Sequence, residues 1–221
     1  MARQPAAGTQ CPRGRARPMA GAREAATRRA PAARGTPSAG ATALRDKARR
    51  YGAGDQPVRL LPGDPALGAV LTLIQATFAY MDGRIDPPSS MHRLTLEKLD
   101  AYATSGEVWA IDAPPRACFI LTPRPDSLYI GKIAVAPAAR GRGLARRLVD
   151  LADRRARELG LPWLELQSRV ELVDNHAVFS ALGFQVTGET AHPGFSQPTS
   201  LTFRRPVRPR PESRGDSRAP Q

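Results

Sequence analysis

The sequence has few of the residues that cross-link small proteins or bind metal ions. It contains two cysteines, Cys11 and Cys118, and three histidines, His92, His176 and His192, among 221 residues. The histidines show no metal-ligand spacing, and two cysteines in such different contexts do not make a disulfide framework or a zinc site. We therefore expect no metal centre, and we interpret Cys118, within RACFILT, as an ordinary buried strand residue.

Long apolar runs are missing as well. The uncharged stretch at 65–81 is shorter than the roughly 20 residues that a membrane span needs, so it is typical of a helix that packs against a core. The N-terminal region lacks the continuous apolar segment of a secretory signal, although its arginine-rich, acid-poor composition also resembles an organelle transit peptide. We expect a cytoplasmic protein that makes no membrane contact.

The basic excess is confined to the two ends of the chain. The net charge is +13, but residues 58–203 hold 15 basic and 15 acidic residues. Residues 1–57 hold 12 basic against 3 acidic residues, and residues 204–221 hold 6 against 2. Both ends have few large apolar side chains, which cannot offset the entropy of ordering a chain. We therefore predict disordered basic segments at 1–57 and 206–221 around one domain at 58–205.

The middle of the chain alternates strand and helix patterns. These predict the order β-α-α-β-β-β-α-β-α-β-β, a mixed α/β sheet flanked by helices. The long, nearly charge-free strand that ends at Pro137 is typical of a central strand covered on both faces. The helix predicted at 143–159 has an apolar face, with Arg155 close to it. Its opposite side carries two predicted i,i+4 ion pairs, Asp150 with Arg154 and Asp153 with Arg157.

The stretch IAVAPAARGRGLARRLV, at 133–149, predicts an anion site. A strand, a glycine turn and a helix start place unpaired N–H groups and the positive end of the helix dipole together. The positive charges of Arg146 and Arg147 are unfavourable at this end of the helix dipole, and a bound anion would offset that cost. The alternative is a tight turn beside a solvated helix face. The stretch is neither a dinucleotide fingerprint, since Arg146 occupies the third glycine position, nor a P-loop, since G-K-[ST] is absent.

Two motifs resemble those of the GNAT family of acyl-CoA-dependent N-acetyltransferases. R-G-R-G-L-A, at 140–145, fits the family's acyl-CoA loop (R/Q)-x-x-G-x-(G/A), with IAVAP before it and RRLV after it. NHAVFSALGF, at 175–184, is similar to the family's second CoA motif. The resemblance covers 58–203 and implies a mixed, mostly antiparallel central sheet flanked by helices, with acetyl-CoA as cosubstrate and no metal.

The resemblance also implies which residues contact acetyl-CoA. The pantetheine arm would pair with the backbone of Ile133, Ala134 and Val135, and Asn175 would reach the same arm, unless it caps the short helix instead. The pyrophosphate would bind the N–H groups of six consecutive residues: Arg140, Gly141, Arg142, Gly143, Leu144 and Ala145. Phe179 stands where many relatives have a tyrosine that protonates the departing thiolate.

The catalytic groups are harder to assign from the sequence. His176, a water molecule or Tyr129 could replace the missing tyrosine as acid, and Glu165 or Glu171 could act as base, although plain surface charge is the alternative for both glutamates. We expect direct attack of a primary amine on the thioester. The alternatives are a catalytically silent acyl-CoA sensor and a nucleic-acid- or ribosome-associated protein that acts through its basic ends.

The sequence leaves the acceptor open. The loops expected to line its site, at 82–93 and 191–200, hold Asp82, Asp86 and His192 but no dense acidic cluster. Acyl-chain preference is open too, and so is the choice between monomer and homodimer.

Overall fold

The computed structural model describes residues 56–209, and the remaining residues fall outside that range. The predicted disorder of residues 1–57 and 206–221 therefore concerns segments that lie almost entirely outside the described residues.

Eleven regular elements follow one another in the described range in the order that the sequence patterns predict, which confirms the predicted mixed α/β fold. The elements are β1 (Pro57–Leu60), α1 (Ala66–Phe78), α2 (Leu96–Ser105), β2 (Glu107–Ile111), β3 (Ala117–Pro123), β4 (Ser127–Val135), α3 (Leu144–Glu158), β5 (Trp163–Arg169), α4 (Val173–Ala181), β6 (Gln185–Thr190) and β7 (Ser200–Pro206).

One seven-stranded sheet, in the order β1-β2-β3-β4-β5-β7-β6, organises the described residues. Every neighbouring pair is antiparallel except β4 and β5, which run parallel. The long strand β4 lies at the centre, as its nearly charge-free pattern predicts. Strand β7 inserts between β5 and β6, so the last strand of the chain is not at the edge of the sheet.

Two apolar cores lie on opposite faces of this sheet. Helices α1 and α2 cover one face, where Ile74 and Leu99 pack with Cys118 and Ala134. Helices α3 and α4 cover the other face, and their side chains pack with those of β3, β4, β5 and β7. Cys118 is fully buried in the first core, as predicted for an ordinary strand residue.

The side of α3 that was predicted to be exposed is partly buried. Asp153 is buried at 3% exposure and binds Arg205 of β7, so its predicted exposed pairing with Arg157 is wrong. Arg155 beside the apolar stripe is explained by the carboxylate of Glu107, which accepts from Arg155 Nε and Nη2. The local helix pattern could not reveal these partners, because both lie about 50 residues away in the chain.

The C-terminal basic residues belong partly to the domain. Arg204 pairs with Asp126 and Glu165, and Arg205 pairs with Asp153. Arg208 follows the last strand and binds Asp153 through its backbone N–H at 3.2 Å. Part of the basic excess at 204–221 is therefore neutralised by carboxylates of the sheet and of α3.

Candidate functional site

The glycine loop leads from the central strand into α3. Pro137–Ala139 form a single 3-10 turn after β4, and α3 begins at Leu144. Gly141 and Gly143 have φ values of +74° and +75°, a left-handed conformation that glycine adopts without steric cost. Arg147 N donates to Gly143 O at 3.0 Å, which is the first hydrogen bond of the helix. The N–H groups before it are free of intrahelical partners, as an anion site requires.

Strands β4 and β5 diverge beside this loop. Their pairing joins Ser127–Tyr129 to Trp163–Glu165 and goes no further, although β4 continues to Val135 and β5 to Arg169. Beyond Tyr129, therefore, the backbone of β4 is not bonded to its parallel neighbour. The gap opens towards the end of β4 that leads into the glycine loop.

A β-bulge interrupts β4 in the same region. Cys118 pairs with Ala134 and Ile120 with Gly131, so two residues of β4 face one residue of β3. Lys132 takes the bulged position with φ of +51°, and its Nζ donates to Ser90 Oγ at 2.5 Å. Burial lowers the pKa of the Lys132 ammonium, and nearby Arg93 lowers it further.

A cavity of about 860 Å³ lies beside the end of β4 that is not paired with β5, where Ile133 and Val135 line it. Its walls come from both sides of the sheet: the end of α1 and the residues after it on one side, and the glycine loop, α3 and α4 on the other. Because these walls lie on opposite faces, the cavity crosses the sheet where β4 and β5 part. A long, thin ligand could pass through it with one end at the glycine loop.

Most of the predicted acetyl-CoA contacts line this one cavity. They are Ile133, Val135, Arg140, Gly141, Gly143, Leu144, Ala145, Asn175 and Phe179. Two predicted contacts do not line the cavity. Ala134 is 2% exposed and packs in the core beneath α1 and α2, and Arg142 is exposed to solvent. Asn175 does not cap α4, because that helix starts two residues earlier, with Leu172 at the N-cap position.

Glu165 is not brought to the cavity. It is 4% exposed, and its carboxylate accepts from Arg204 Nε at 2.7 Å, from Ser127 Oγ at 3.3 Å and from Arg124. It forms the last pair between β5 and β4, opposite Tyr129, and it does not line the cavity. These contacts occupy it as a structural ion-pair partner, so the alternative interpretation as plain surface charge is wrong.

Tyr129 and His176 are also absent from the cavity lining. The Arg124 guanidinium lies 3.8 Å from the centre of the Tyr129 ring, and burial raises the pKa of that phenol. His176 Nε2 is 2.9 Å from Arg169 O, and its ring packs against Phe203. All three predicted catalytic side chains thus make contacts elsewhere in the fold.

The wall formed by α1 was missed by the sequence analysis. Thr77, Tyr80 and Arg84 line the cavity, although the sequence pattern predicts only a core-packing helix and a loop for this segment. Thr77 is 7% exposed, and its hydroxyl has no hydrogen-bond partner within residues 56–209. Tyr80 Oη accepts a hydrogen bond from Asn175 Nδ2 at 2.9 Å. The only local signal was the polar character of these side chains at the end of an apolar helix.

Arg169 ties together the two loops predicted to line the acceptor site. Its guanidinium donates to Thr199 O at 2.8 Å, to Pro87 O at 2.7 Å and to Asp86 O. Glu171 adds a second tie, because its carboxylate accepts from Asp86 N at 3.2 Å. The loops at 82–93 and 191–200 therefore meet at the end of β5.

Residues 56–209 hold no group of three or more His, Cys, Asp or Glu side chains that could bind a metal ion. Within that range no helix has the length and apolar character to cross a bilayer.

The central part of the described range is similar to a known protein family. Residues 86–184 match the sequence profile of the Acetyltransferase (GNAT) family. No curated protein sequence matches the chain.

Solved structures of similar fold cover most of the described range. A GNAT-family acetyltransferase from Listeria monocytogenes is 15% identical, with TM-score 0.53 over 68% of this chain and 94% of that chain. A GNAT-family protein from Desulfovibrio desulfuricans is 17% identical, with TM-score 0.54 over 69% and 98%. The ribosomal-protein-S18-alanine N-acetyltransferase from Escherichia coli is 17% identical, with TM-score 0.51 over 71% and 96%. At these identities the likeness concerns the fold.

The sheet order, the parallel β4–β5 pair and the glycine loop at the start of α3 define an acyl-CoA N-acyltransferase fold. Within this fold, the family whose sequence profile residues 86–184 match is the acetyltransferase (GNAT) family.

Proposed function

We propose that this protein transfers an acetyl group from acetyl-CoA to a primary amine. The observation that carries the proposal is the cavity of about 860 Å³ that joins the glycine loop to the unpaired end of β4 and to the end of α1. It is a passage with a phosphate-type site at one mouth, which suits a ligand with a diphosphate at one end and a thioester at the other.

The glycine-loop mouth carries the charge that a diphosphate needs. Arg140 and Arg146 line it together with Gly141 and Gly143, and the first-turn N–H groups of α3 point towards the same place. Two arginines near the positive end of a helix are unfavourable on their own, and a multiply charged anion removes that cost. The apolar side chains Ile133 and Val135 then flank the path of the pantetheine arm.

The reaction follows from the divergence of the strands. A neutral amine attacks the thioester carbonyl carbon, and backbone N–H groups in the bulged part of β4 polarise the carbonyl oxygen. The C–N bond forms, the C–S bond breaks, and the amine passes a proton to water or to a base. The loops joined by Arg169 enclose the acceptor side.

The direct test is acetyl-CoA turnover by the full chain, measured as thiol release across a panel of small amines, amino acids and peptide N-termini. Calorimetry with CoA, dephospho-CoA and pantetheine tests the binding mode. We expect CoA to bind most tightly, because most of the proposed contacts are made to phosphate. Equal affinity for CoA and pantetheine would contradict the phosphate site.

Phe179 favours a second candidate, an acyl-CoA-binding protein without turnover. Its ring lines the cavity and packs edge-on against Phe203 at 5.6 Å, and it offers no proton to a leaving thiolate. If nothing else supplies that proton, Phe179→Tyr should raise thiol release, whereas His176→Ala should leave it unchanged because His176 lies outside the cavity lining. A wild type that binds acetyl-CoA but acetylates no amine would favour this candidate.

Nucleic-acid binding through the basic ends is a separate proposal. It rests on segments that lie mostly outside residues 56–209, and Arg204, Arg205 and Arg208 already bind carboxylates of the domain. Removing residues 1–54 and 206–221 should remove most of any salt-sensitive binding to DNA or RNA and leave CoA affinity nearly unchanged.

A further inference from the structure

The cavity contains a phenol whose proton is free to be donated. Tyr80 lies in the turn after α1 and lines the cavity, and its Oη accepts a hydrogen bond from Asn175 Nδ2 at 2.9 Å. A phenol oxygen accepts through its lone pairs and donates through its one O–H. Because Asn175 acts as the donor, the Tyr80 proton takes no part in that bond. Within residues 56–209 this is the only hydrogen bond of the Tyr80 hydroxyl.

The position of Tyr80 places this proton at the acyl end of the cavity. The glycine loop lies on the α3 side of the sheet, whereas Tyr80 follows α1, which covers the opposite face. A ligand with its diphosphate at the loop therefore presents its other end to the α1 wall. Asn175 and Phe179 are one helical turn apart on α4, and both line the cavity together with Tyr80.

No other polar side chain that lines the cavity suits the role of proton donor. Arginine guanidinium groups do not release protons in proteins, and the Asp174 carboxylate is an acceptor when ionised. The Asn175 amide is not an acid, and the aliphatic hydroxyl of Thr77 is a far weaker acid than a phenol. The polar and charged side chains that line the cavity are those of Thr77, Tyr80, Arg84, Arg140, Arg146, Asp174 and Asn175.

We infer that Tyr80 is the catalytic acid of the acetyl transfer and that Asn175 holds its hydroxyl in place. This inference rests on the proposed function. As the C–S bond breaks, its electron pair goes to sulfur, and the Tyr80 proton joins that sulfur to give CoA thiol. The phenolate then takes a proton from solvent, while the attacking amine loses its own proton to water. The hydrogen bond from Asn175 stabilises the phenolate in the interval.

Tyr80→Phe is the direct test, with Tyr102→Phe as the matched control. The two tyrosines are 38% and 37% exposed, and Tyr102 lies on α2 outside the cavity lining. We expect Tyr80→Phe to lower kcat for thiol release by about a hundredfold, the lower end of the usual contribution of a general acid. CoA affinity by calorimetry should not change, and Tyr102→Phe should match the wild type in both measurements.

The pH profile separates an acid from a residue that only shapes the cavity. Loss of the acid's proton makes kcat decline at alkaline pH in the wild type, and that decline should disappear in Tyr80→Phe. At saturating acetyl-CoA, Asn175→Leu keeps the phenol but removes its hydrogen bond, so kcat should fall by a smaller factor and the alkaline decline should persist. This second variant also tests the inference if Tyr80→Phe folds poorly.

The outcomes distinguish this inference from the proposed function. Wild-type turnover with unchanged kcat in Tyr80→Phe overturns the role of Tyr80 and leaves the acetyltransferase proposal standing. Loss of CoA affinity in Tyr80→Phe also overturns it, because Tyr80 would then be a binding residue. A wild type that turns over no amine of the panel overturns both.

Discussion

Asp153 of α3 and Arg205 of β7 form a buried ion pair, with 2.6 Å between Oδ2 and Nη2 and each side chain 4% exposed. Arg205 Nη1 also donates to Leu182 O at the end of α4. One guanidinium thus joins α3, β7 and α4 on the face of the sheet that α3 and α4 cover. The second carboxylate oxygen of Asp153 accepts from Arg208 N, so the pair also holds the chain that follows β7.

We expect Asp153→Ala to lower the free energy of unfolding by about 3–5 kcal/mol, because it leaves a buried guanidinium without its counter-ion. The control is Asp150→Ala, whose partner Arg208 is half exposed, and it should cost less than about 1 kcal/mol. Urea unfolding followed by circular dichroism measures both. Equal losses in the two variants would contradict the structural role of the buried pair.

The glycine loop leads to a prediction on CoA affinity. Gly143→Glu should abolish CoA binding, since it places bulk and negative charge at the proposed diphosphate site. Gly160→Glu is the matched control: its φ is +69° against +75° for Gly143, a Cβ atom at either position meets no atom within 4 Å, and Gly160 is not in the cavity lining.

Both glycine variants carry the same left-handed strain, about 1–2 kcal/mol, so comparing them isolates the charge at the site. Calorimetry with CoA should therefore show binding for Gly160→Glu and none for Gly143→Glu. Similar CoA affinities for the two proteins would mean that the loop does not bind the diphosphate.

Thr77→Val should stabilise the unliganded protein. The Thr77 hydroxyl is buried without a partner in the described range, and an unsatisfied buried polar group costs about 1–3 kcal/mol, so an isosteric methyl group should recover roughly 1 kcal/mol. Thr72→Val on the same helix removes an exposed hydrogen bond to Gly68 O and should change stability by less than about 0.5 kcal/mol. Thermal unfolding measures the melting temperature of both variants. A lower melting temperature for Thr77→Val than for the wild type would contradict the predicted stabilisation.

Cys118 should resist alkylation in the folded protein. Burial raises the pKa of its thiol to about 12, so at pH 9 almost none of it is the reactive thiolate. Iodoacetamide followed by peptide mapping should leave Cys118 unmodified in buffer and modify it in urea. The raised pKa of Cys118 also makes stability depend on pH. The unfolded thiol ionises near pH 8.5, so the stability that the buried neutral thiol contributes is complete below that pH and is lost as the pH rises towards 12. Equal labelling with and without urea would contradict this burial.

The order of helices and strands could be predicted from the sequence because it depends on local patterns. Helix α1 shows apolar residues at helical spacing, and its start is marked by Asp64, whose carboxylate accepts from Ala66 N at 2.8 Å. The left-handed glycines at 141 and 143 likewise reflect a conformational preference of the residues themselves. Most of the predicted acetyl-CoA contacts belong to this loop and to the strand and helices beside it.

The partners of charged side chains could not be predicted in this way. Glu165 lies beside Arg204 and Arg124 because β5 pairs with β7 and with β4, and these partners are 39 and 41 residues away in the chain. The i,i+4 rule placed Asp153 with Arg157 on an exposed surface, whereas sheet topology buries it against Arg205. A helix pattern reports which side of a helix is apolar, but not which distant strand packs against it.

The second wall of the cavity also depends on the tertiary structure. Thr77 and Tyr80 come from the end of α1 and the turn after it, and they line one cavity with Asn175 and Phe179 because β4 parts from β5 there. The sequence alone predicts the phosphate end of the site, where adjacent residues form one loop and one helix start. The acyl end joins residues almost a hundred positions apart, so it exists only once the sheet has brought its two faces together.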